Sequence, residues 1–128
     1  MVRAVKSQRP VNLDISTIKL PLPALASITH RISGIAIFAG MFFLIWGLGM
    51  SLESEESFNQ LKECLDSVIA KLIIWAILAG FIYHFVAGCR HLLMDFGYFE
   101  TLEGANMLAK FVIGLSVVLI VLAGVWVW

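Results

Sequence analysis

The chain has 128 residues, 60% of them apolar and 14% charged, with nine Lys plus Arg against nine Asp plus Glu and a formal net charge of zero. A soluble domain averages roughly 45–50% apolar and about 25% charged residues, and a soluble chain this short leaves about a third of its surface to be covered by polar groups. The composition therefore excludes a soluble monomer and a disordered tail, the zero net charge provides no field to draw nucleic acid, and an integral membrane protein is the class that remains.

Residues 1–23 read as a cytoplasmic N-terminal arm. Pro10, Pro21 and Pro23 interrupt any continuous helix there. Val11, Leu13 and Ile15 alternate with Asn12, Asp14 and Ser16, the pattern of an extended segment with one apolar face. Two readings stand, a flexible tail and an arm lying on a partner subunit at the membrane surface. Three apolar blocks follow. Ile32 to Leu52 is 21 residues without a charge, Leu72 to Cys89 is 18 interrupted only by His84, and Phe111 to Trp128 is another 18. Each is long enough for a helix to cross about 30 Å of hydrocarbon at about 1.5 Å per residue. The blocks are continuously apolar rather than alternating, which favours helices over barrel strands. The expected fold is all-α and integral to the membrane, a three-helix transmembrane domain over 24–128 with helices at about 24–52, 68–94 and 106–128. The first helix is expected to start near Ala24, after the last proline. It does not read as a signal peptide, because a charged, proline-containing stretch precedes it and no small-residue cleavage site follows. Gly114 and Gly124 are candidate close-approach points in the third helix.

Charge placement orients the chain. Arg3, Lys6, Arg9, Lys19 and Arg31 precede or open the first helix, Arg90 and Lys110 flank the second loop, and only Lys62 and Lys71 stand in the first loop, beside Glu53, Glu55, Glu56, Glu63 and Asp66. The positive-inside rule puts the N-terminus in the cytoplasm and the C-terminus on the periplasmic side, with Trp126 and Trp128 at the outer interface. Cys64 and Cys89 then lie about a membrane thickness apart, far beyond disulfide reach. No Cys-x-x-Cys-His, phosphate loop or dinucleotide glycine motif is present.

Chemistry concentrates at two places. In Ser27-Ile28-Thr29-His30-Arg31-Ile32-Ser33-Gly34, residues 27, 31 and 34 share a helix face, with His30 beside them. An interfacial anchor is the bland reading, with Arg31 reaching to lipid phosphate. In His84-Phe85-Val86-Ala87-Gly88-Cys89-Arg90-His91-Leu92-Leu93-Met94-Asp95, His84 lies about two turns deeper than Arg90 and His91. An ionisable group at that depth is a functional candidate, and a neutral imidazole is the usual axial ligand of haem iron. Gly80 and Gly88, at i−4 and i+4 from His84, could leave a flat strip for a planar macrocycle. A hydrogen bond from His84 to a neighbouring helix is the alternative. Antiparallel packing of the first two helices would gather Arg31, Arg90, His30 and His91 at one membrane face above His84. Such a cluster suits haem propionates or the carbonyl oxygens of a quinone. A bland pairing of Arg90 with Asp95 is also open.

These residues carry a resemblance. Arg9-Pro10-Val11 with Ser27-x-x-His30-Arg31-x-Ser33-Gly34, and His84-x-x-x-Gly88-x-Arg90-His91-x-x-x-Asp95-x-Gly97, resemble the two signatures of the large membrane-anchor cytochrome b subunit of bacterial succinate dehydrogenase. Cys89 departs from the pattern, where an aliphatic residue is usual. The resemblance implies a multi-pass protein of the bacterial inner membrane, in a complex with a flavoprotein, an iron–sulfur protein and a second, smaller anchor subunit. The chain alone would catalyse nothing. It implies His84 as an axial ligand of haem b shared with the second anchor. Ser27 and Arg31 would line the ubiquinone site, and His30, Arg31 and His91 would form a polar cluster near the haem propionates. The rival readings are the anchor of a quinol:fumarate reductase working in reverse, and a non-haem structural or transport subunit in which His84 pairs with Arg31.

Overall fold

The computed structural model describes Asp14 and residues 17–128. The extended alternation over 11–16 and the Arg9-Pro10-Val11 motif fall largely or wholly outside the described residues, as does most of the N-terminal arm. The described chain is all-helical, in four elements: α1 Leu22–Glu53, α2 Glu55–Leu65, α3 Val68–Asp95 and α4 Leu102–Val127. Three of them, α1, α3 and α4, are long and apolar enough to span a membrane.

The spans follow the expected blocks, and the ends differ for local reasons. Helix α1 begins at Leu22, two residues before Ala24, because Pro23 sits inside the first turn and Pro21 at the N-cap. A first-turn proline loses no helical hydrogen bond and its fixed φ suits the helix. Helix α4 begins at Leu102, four residues before the expected 106, because the Thr101 hydroxyl accepts a hydrogen bond from Gly104 N at 3.1 Å. Hydropathy marks the apolar block, while the cap marks the true start.

Helix α2 lies between the expected spans, where the sequence predicts a loop. The sequence between the first two spans is polar, yet Ser54 caps a helix whose first turn holds Glu55 and Glu56 and whose last turn holds Lys62, each charge opposing the local end of the helix dipole. Its Leu61 is buried, so α2 folds back on the bundle. Helix α3 is capped by Ser67 and ends in a Schellman turn. Gly97 N donates to Met94 O at 2.9 Å and Tyr98 N to Leu93 O at 3.0 Å, with Gly97 at φ +84. That left-handed angle is what glycine permits at no steric cost, and it accounts for the Gly97 of the second motif.

Helix α3 is central and packs against both α1 and α4, which touch each other less. Most of the buried residues are small, Ala26, Ala87, Ala105, Ala109, Ser33, Ser116 and Gly124 among them, beside Leu61, Leu108, Val112 and Arg90. Large apolar side chains such as Ile35, Phe38, Phe42 and Val125 point outward. Close packing of small residues with bulky groups facing outward is the arrangement of helices in lipid, where no hydrophobic force draws large side chains inward. Of the two candidate close-approach glycines, Gly124 behaves as expected. A Cβ there would lie 3.0 Å from Trp75 Nε1, whose N–H donates to Ile120 O at 2.9 Å and ties α3 to α4. A Cβ at Gly114 would meet nothing within 4 Å among the described residues outside its own helix turn, so no close approach requires a glycine there. Both cysteines are free.

Candidate functional site

The N-terminal end of α1 and the C-terminal end of α3 run antiparallel at one end of the bundle. Between them lies an open cleft of about 680 Å³, lined by Ser27, His30 and Arg31 from α1 and by His84, Phe85, Gly88, Cys89, His91, Leu92 and Asp95 from α3. All five site candidates singled out above, Ser27, His30, Arg31, His84 and His91, therefore meet in one place.

Helical periodicity explains the grouping. At about 100° per residue, Gly88, His91 and Asp95 fall within about 40° of His84 around α3, while Arg90 falls about 120° away. Arg90 accordingly leaves the expected cluster. It is 3% exposed, does not line the cleft, and its Nε has no hydrogen-bond partner among the described residues. Neither the Arg90–Asp95 pairing nor a His84–Arg31 pairing forms; the ion pair found among the described residues joins Lys71 to Asp66 at 3.1 Å. Gly80 also leaves the expected strip. It lines a separate apolar pocket with Ile37, Gly40 and Ile77, and only Gly88 opens onto the polar cleft. The phase of α3 held the signal that separates Arg90 from His91; reading both as one basic cluster ignored it.

His84 is the most constrained side chain of the site. Its Nδ1 is 3.0 Å from His30 O and 3.1 Å from Ser33 Oγ. The Ser33 hydroxyl donates to that same His30 carbonyl at 2.6 Å. A carbonyl can only accept, so Nδ1 carries the imidazole proton and Ser33 Oγ shares it as a second acceptor. The ring of a neutral His84 then keeps its lone pair on Nε2, which has no hydrogen bond among the described residues. The His30 ring stacks on it, with centroids 4.0 Å apart and planes 12° from parallel, and His91 stands 5.0 Å from His30 at 51°. Buried His30 Nε2 has no hydrogen-bond partner among the described residues, and it faces Gly88, where a Cβ would come within 3.6 Å. Behind the site, Tyr83 donates to Ala26 O at 3.3 Å and bonds the Thr29 hydroxyl, clasping α3 to α1. Ser33 and Tyr83 escaped the site reading because nothing in a linear sequence shows which hydroxyl meets which helix.

Among the described residues, the site therefore offers one imidazole nitrogen without a hydrogen bond, a glycine wall at Gly88, an Arg31 at the rim without an ion-pair partner and an unsatisfied polar nitrogen on His30. That donor set fits a macrocycle iron bound on one side and an anionic or carbonyl-bearing ligand at the rim.

Comparison with known proteins finds relatives over most of the chain. The family model for the succinate dehydrogenase/fumarate reductase transmembrane subunit matches residues 5–123. A succinate dehydrogenase cytochrome b556 subunit of Coxiella burnetii is 39% identical, over 97% of this chain and 100% of its own. That of Paracoccus denitrificans is 36% identical over 91% of this chain and 90% of its own. A succinate dehydrogenase cytochrome b560 subunit of Marchantia polymorpha is 34% identical over 77% and 76%. With three helices long and apolar enough to cross a membrane and near-complete coverage by the two bacterial relatives, the chain belongs to the succinate dehydrogenase/fumarate reductase transmembrane subunit family, as a multi-pass cytochrome b membrane subunit of succinate dehydrogenase.

Proposed function

We propose that this chain holds haem b through His84 Nε2, shares that haem with a second, smaller anchor subunit, and lines with Ser27 and Arg31 the site where ubiquinone is reduced. A flavoprotein and an iron–sulfur protein docked at the cytoplasmic face would deliver the electrons of succinate. The observation that carries the reading is the convergence of the cleft on His84, whose Nδ1 proton is bound by His30 O while Nε2 remains available. A metal-bound histidine is ordinarily oriented this way, its other ring nitrogen donating to a carbonyl or carboxylate. When bound, haem b would supply one-electron redox chemistry beside the quinone site. The chain's own residues do the rest. Ser27 and Arg31 are neighbours on one face of α1 and offer a hydroxyl and a cation to a quinone oxygen. His30, Arg31 and His91 supply cationic or donor groups for carboxylates at the rim. Asp95, with no ion-pair partner among the described residues, balances that charge within the same cleft.

The names of the relatives favour succinate dehydrogenase over quinol:fumarate reductase, and the hydrogen bonds of His84 among the described residues go to His30 O and Ser33 Oγ rather than to Arg31, the contact that a non-haem structural reading needs. A reduced-minus-oxidised visible spectrum of the purified complex tests the reading. His84→Ala is expected to remove the cytochrome b band while flavin and iron–sulfur cofactors still co-purify. An unchanged band in that variant would refute His84 as the ligand.

A further inference from the structure

The geometry points to a three-residue seat on α1, formed by the His30 carbonyl, the Ser33 hydroxyl and the bare Cα of Gly34, that sets the tautomer and ring orientation of His84 and thereby the spectral and redox character of the haem; this rests on the reading of His84 as haem ligand.

Three contacts define the seat. His84 Nδ1 lies 3.0 Å from His30 O and 3.1 Å from Ser33 Oγ, and the Ser33 proton is committed to His30 O at 2.6 Å. With the carbonyl and the hydroxyl oxygen both accepting, a single proton arrangement satisfies all three distances, and it places hydrogen on Nδ1. The edge of the ring rests on Gly34, where a Cβ would stand 3.1 Å from His84 Cε1 and 3.6 Å from Nδ1. Even one methyl there forces the ring to move by a few tenths of an ångström, and the ring cannot yield without stretching both Nδ1 contacts or leaving the His30 face stacked on it. Residues 30, 33 and 34 are at i, i+3 and i+4, one continuous patch of a helix surface. Ser33 is 8% exposed, so its hydroxyl is not competing with water for this role. A ring-nitrogen proton held by two acceptors makes the opposite nitrogen a stronger donor to a metal. Ser33 and Gly34 are thus positioning residues, acting through His84.

The molecule contains its own control. Gly40, further along α1, faces α3 with a nearest contact just as short and no less crowding, since a Cβ there would lie 3.1 Å from Ile77 Cγ1 and 3.3 Å from Cγ2. Gly34→Ala and Gly40→Ala insert equal methyls at equal distances between the same two helices, one against an imidazole and one against an aliphatic chain. The test compares these variants and Ser33→Ala in the whole purified complex, by haem content per flavin, low-spin electron paramagnetic resonance and haem midpoint potential. We expect Gly34→Ala to lose at least half of its haem or to show a shifted low-spin signal. Ser33→Ala should keep its haem with a raised midpoint potential, since a weaker nitrogen donor stabilises the ferric state less. Gly40→Ala should match the wild type in all three. Wild-type resonance and potential in both Gly34→Ala and Ser33→Ala would overturn the seat, as would the same haem changes in Gly40→Ala. Should Gly34→Ala fail to assemble, Ser33→Ala, which introduces no clash, decides alone. His84→Ala separates the two levels: haem lost there with Gly34→Ala and Ser33→Ala unchanged refutes the seat only, whereas haem retained there refutes the ligand reading and the seat together.

Discussion

The two ends of the α1–α3 pair carry opposite kinds of cavity. At one end, the cleft of about 680 Å³ brings together Ser27, His30, Arg31, His84, His91 and Asp95. At the other, about 560 Å³ lies between α1, α2 and α3, lined by Phe43, Trp46, Leu61, Leu65, Ile73, Ile77 and other mostly apolar groups. The same two helices make both walls, and what differs is the residue type on the facing stripes. At the far end the stripes are apolar and α2 packs over them through Leu61. At the cleft end polar groups are held at fixed positions by the neighbouring helix, as His84 is by His30 O and Ser33. Polar atoms away from water are costly unless paired, and at the cleft His30 Nε2 is one that has no hydrogen-bond partner among the described residues.

The contrast can be broken most sharply at the cleft, which provides one deep imidazole where a six-coordinate bis-histidine haem needs two. The purified chain, freed of other subunits, is expected to give no stable low-spin bis-histidine spectrum, a complete loss relative to the assembled complex; a normal spectrum from the monomeric chain would contradict shared ligation. Next in size, Arg31→Leu in the complex should slow quinone reduction more than tenfold, because a cation and its donors are removed together. Ser27→Ala should slow it roughly tenfold, the effect of losing one hydrogen bond worth about 1.4 kcal/mol. Both are measured as succinate:quinone activity against succinate oxidation by a dye that accepts electrons at the soluble subunits. An equal fall in both assays would assign these residues to assembly rather than to the quinone. The smallest effect belongs to the far end. Ser54→Ala removes the cap of α2, where Ser54 Oγ accepts from Ser57 N at 3.1 Å, and should cost about 1 kcal/mol in denaturant unfolding of the complex. Its cytochrome spectrum and quinone kinetics should equal those of the wild type, and a change in either would show that the two ends are coupled.

Much of the site was legible in the chain. A histidine inside an apolar block stands out whatever the fold, and Ser27, His30 and Arg31 cluster within five residues. Ser33 and Gly34 were visible as members of a motif, but their contact with His84 spans about fifty residues and exists only once α1 and α3 are packed. Arg90 shows the opposite error. It sits next to His91 in the chain and on another side of the helix in space, because one residue step turns an α-helix by about 100°.

The sequence alone determined the class, the number of membrane spans and their approximate limits, since these depend on the length of uncharged apolar runs against the fixed thickness of a bilayer. It also carried the family motifs. Tertiary structure alone decided which face of each helix turns inward. Helices that are apolar all round have no preferred face in lipid, so their rotation is set by where small residues permit close approach, as at Gly34, Gly40 and Gly124. That rotation sets His84 against His30 and Ser33 of α1, turns Arg90 away from the cleft, and leaves His84 Nε2 without a hydrogen bond among the described residues.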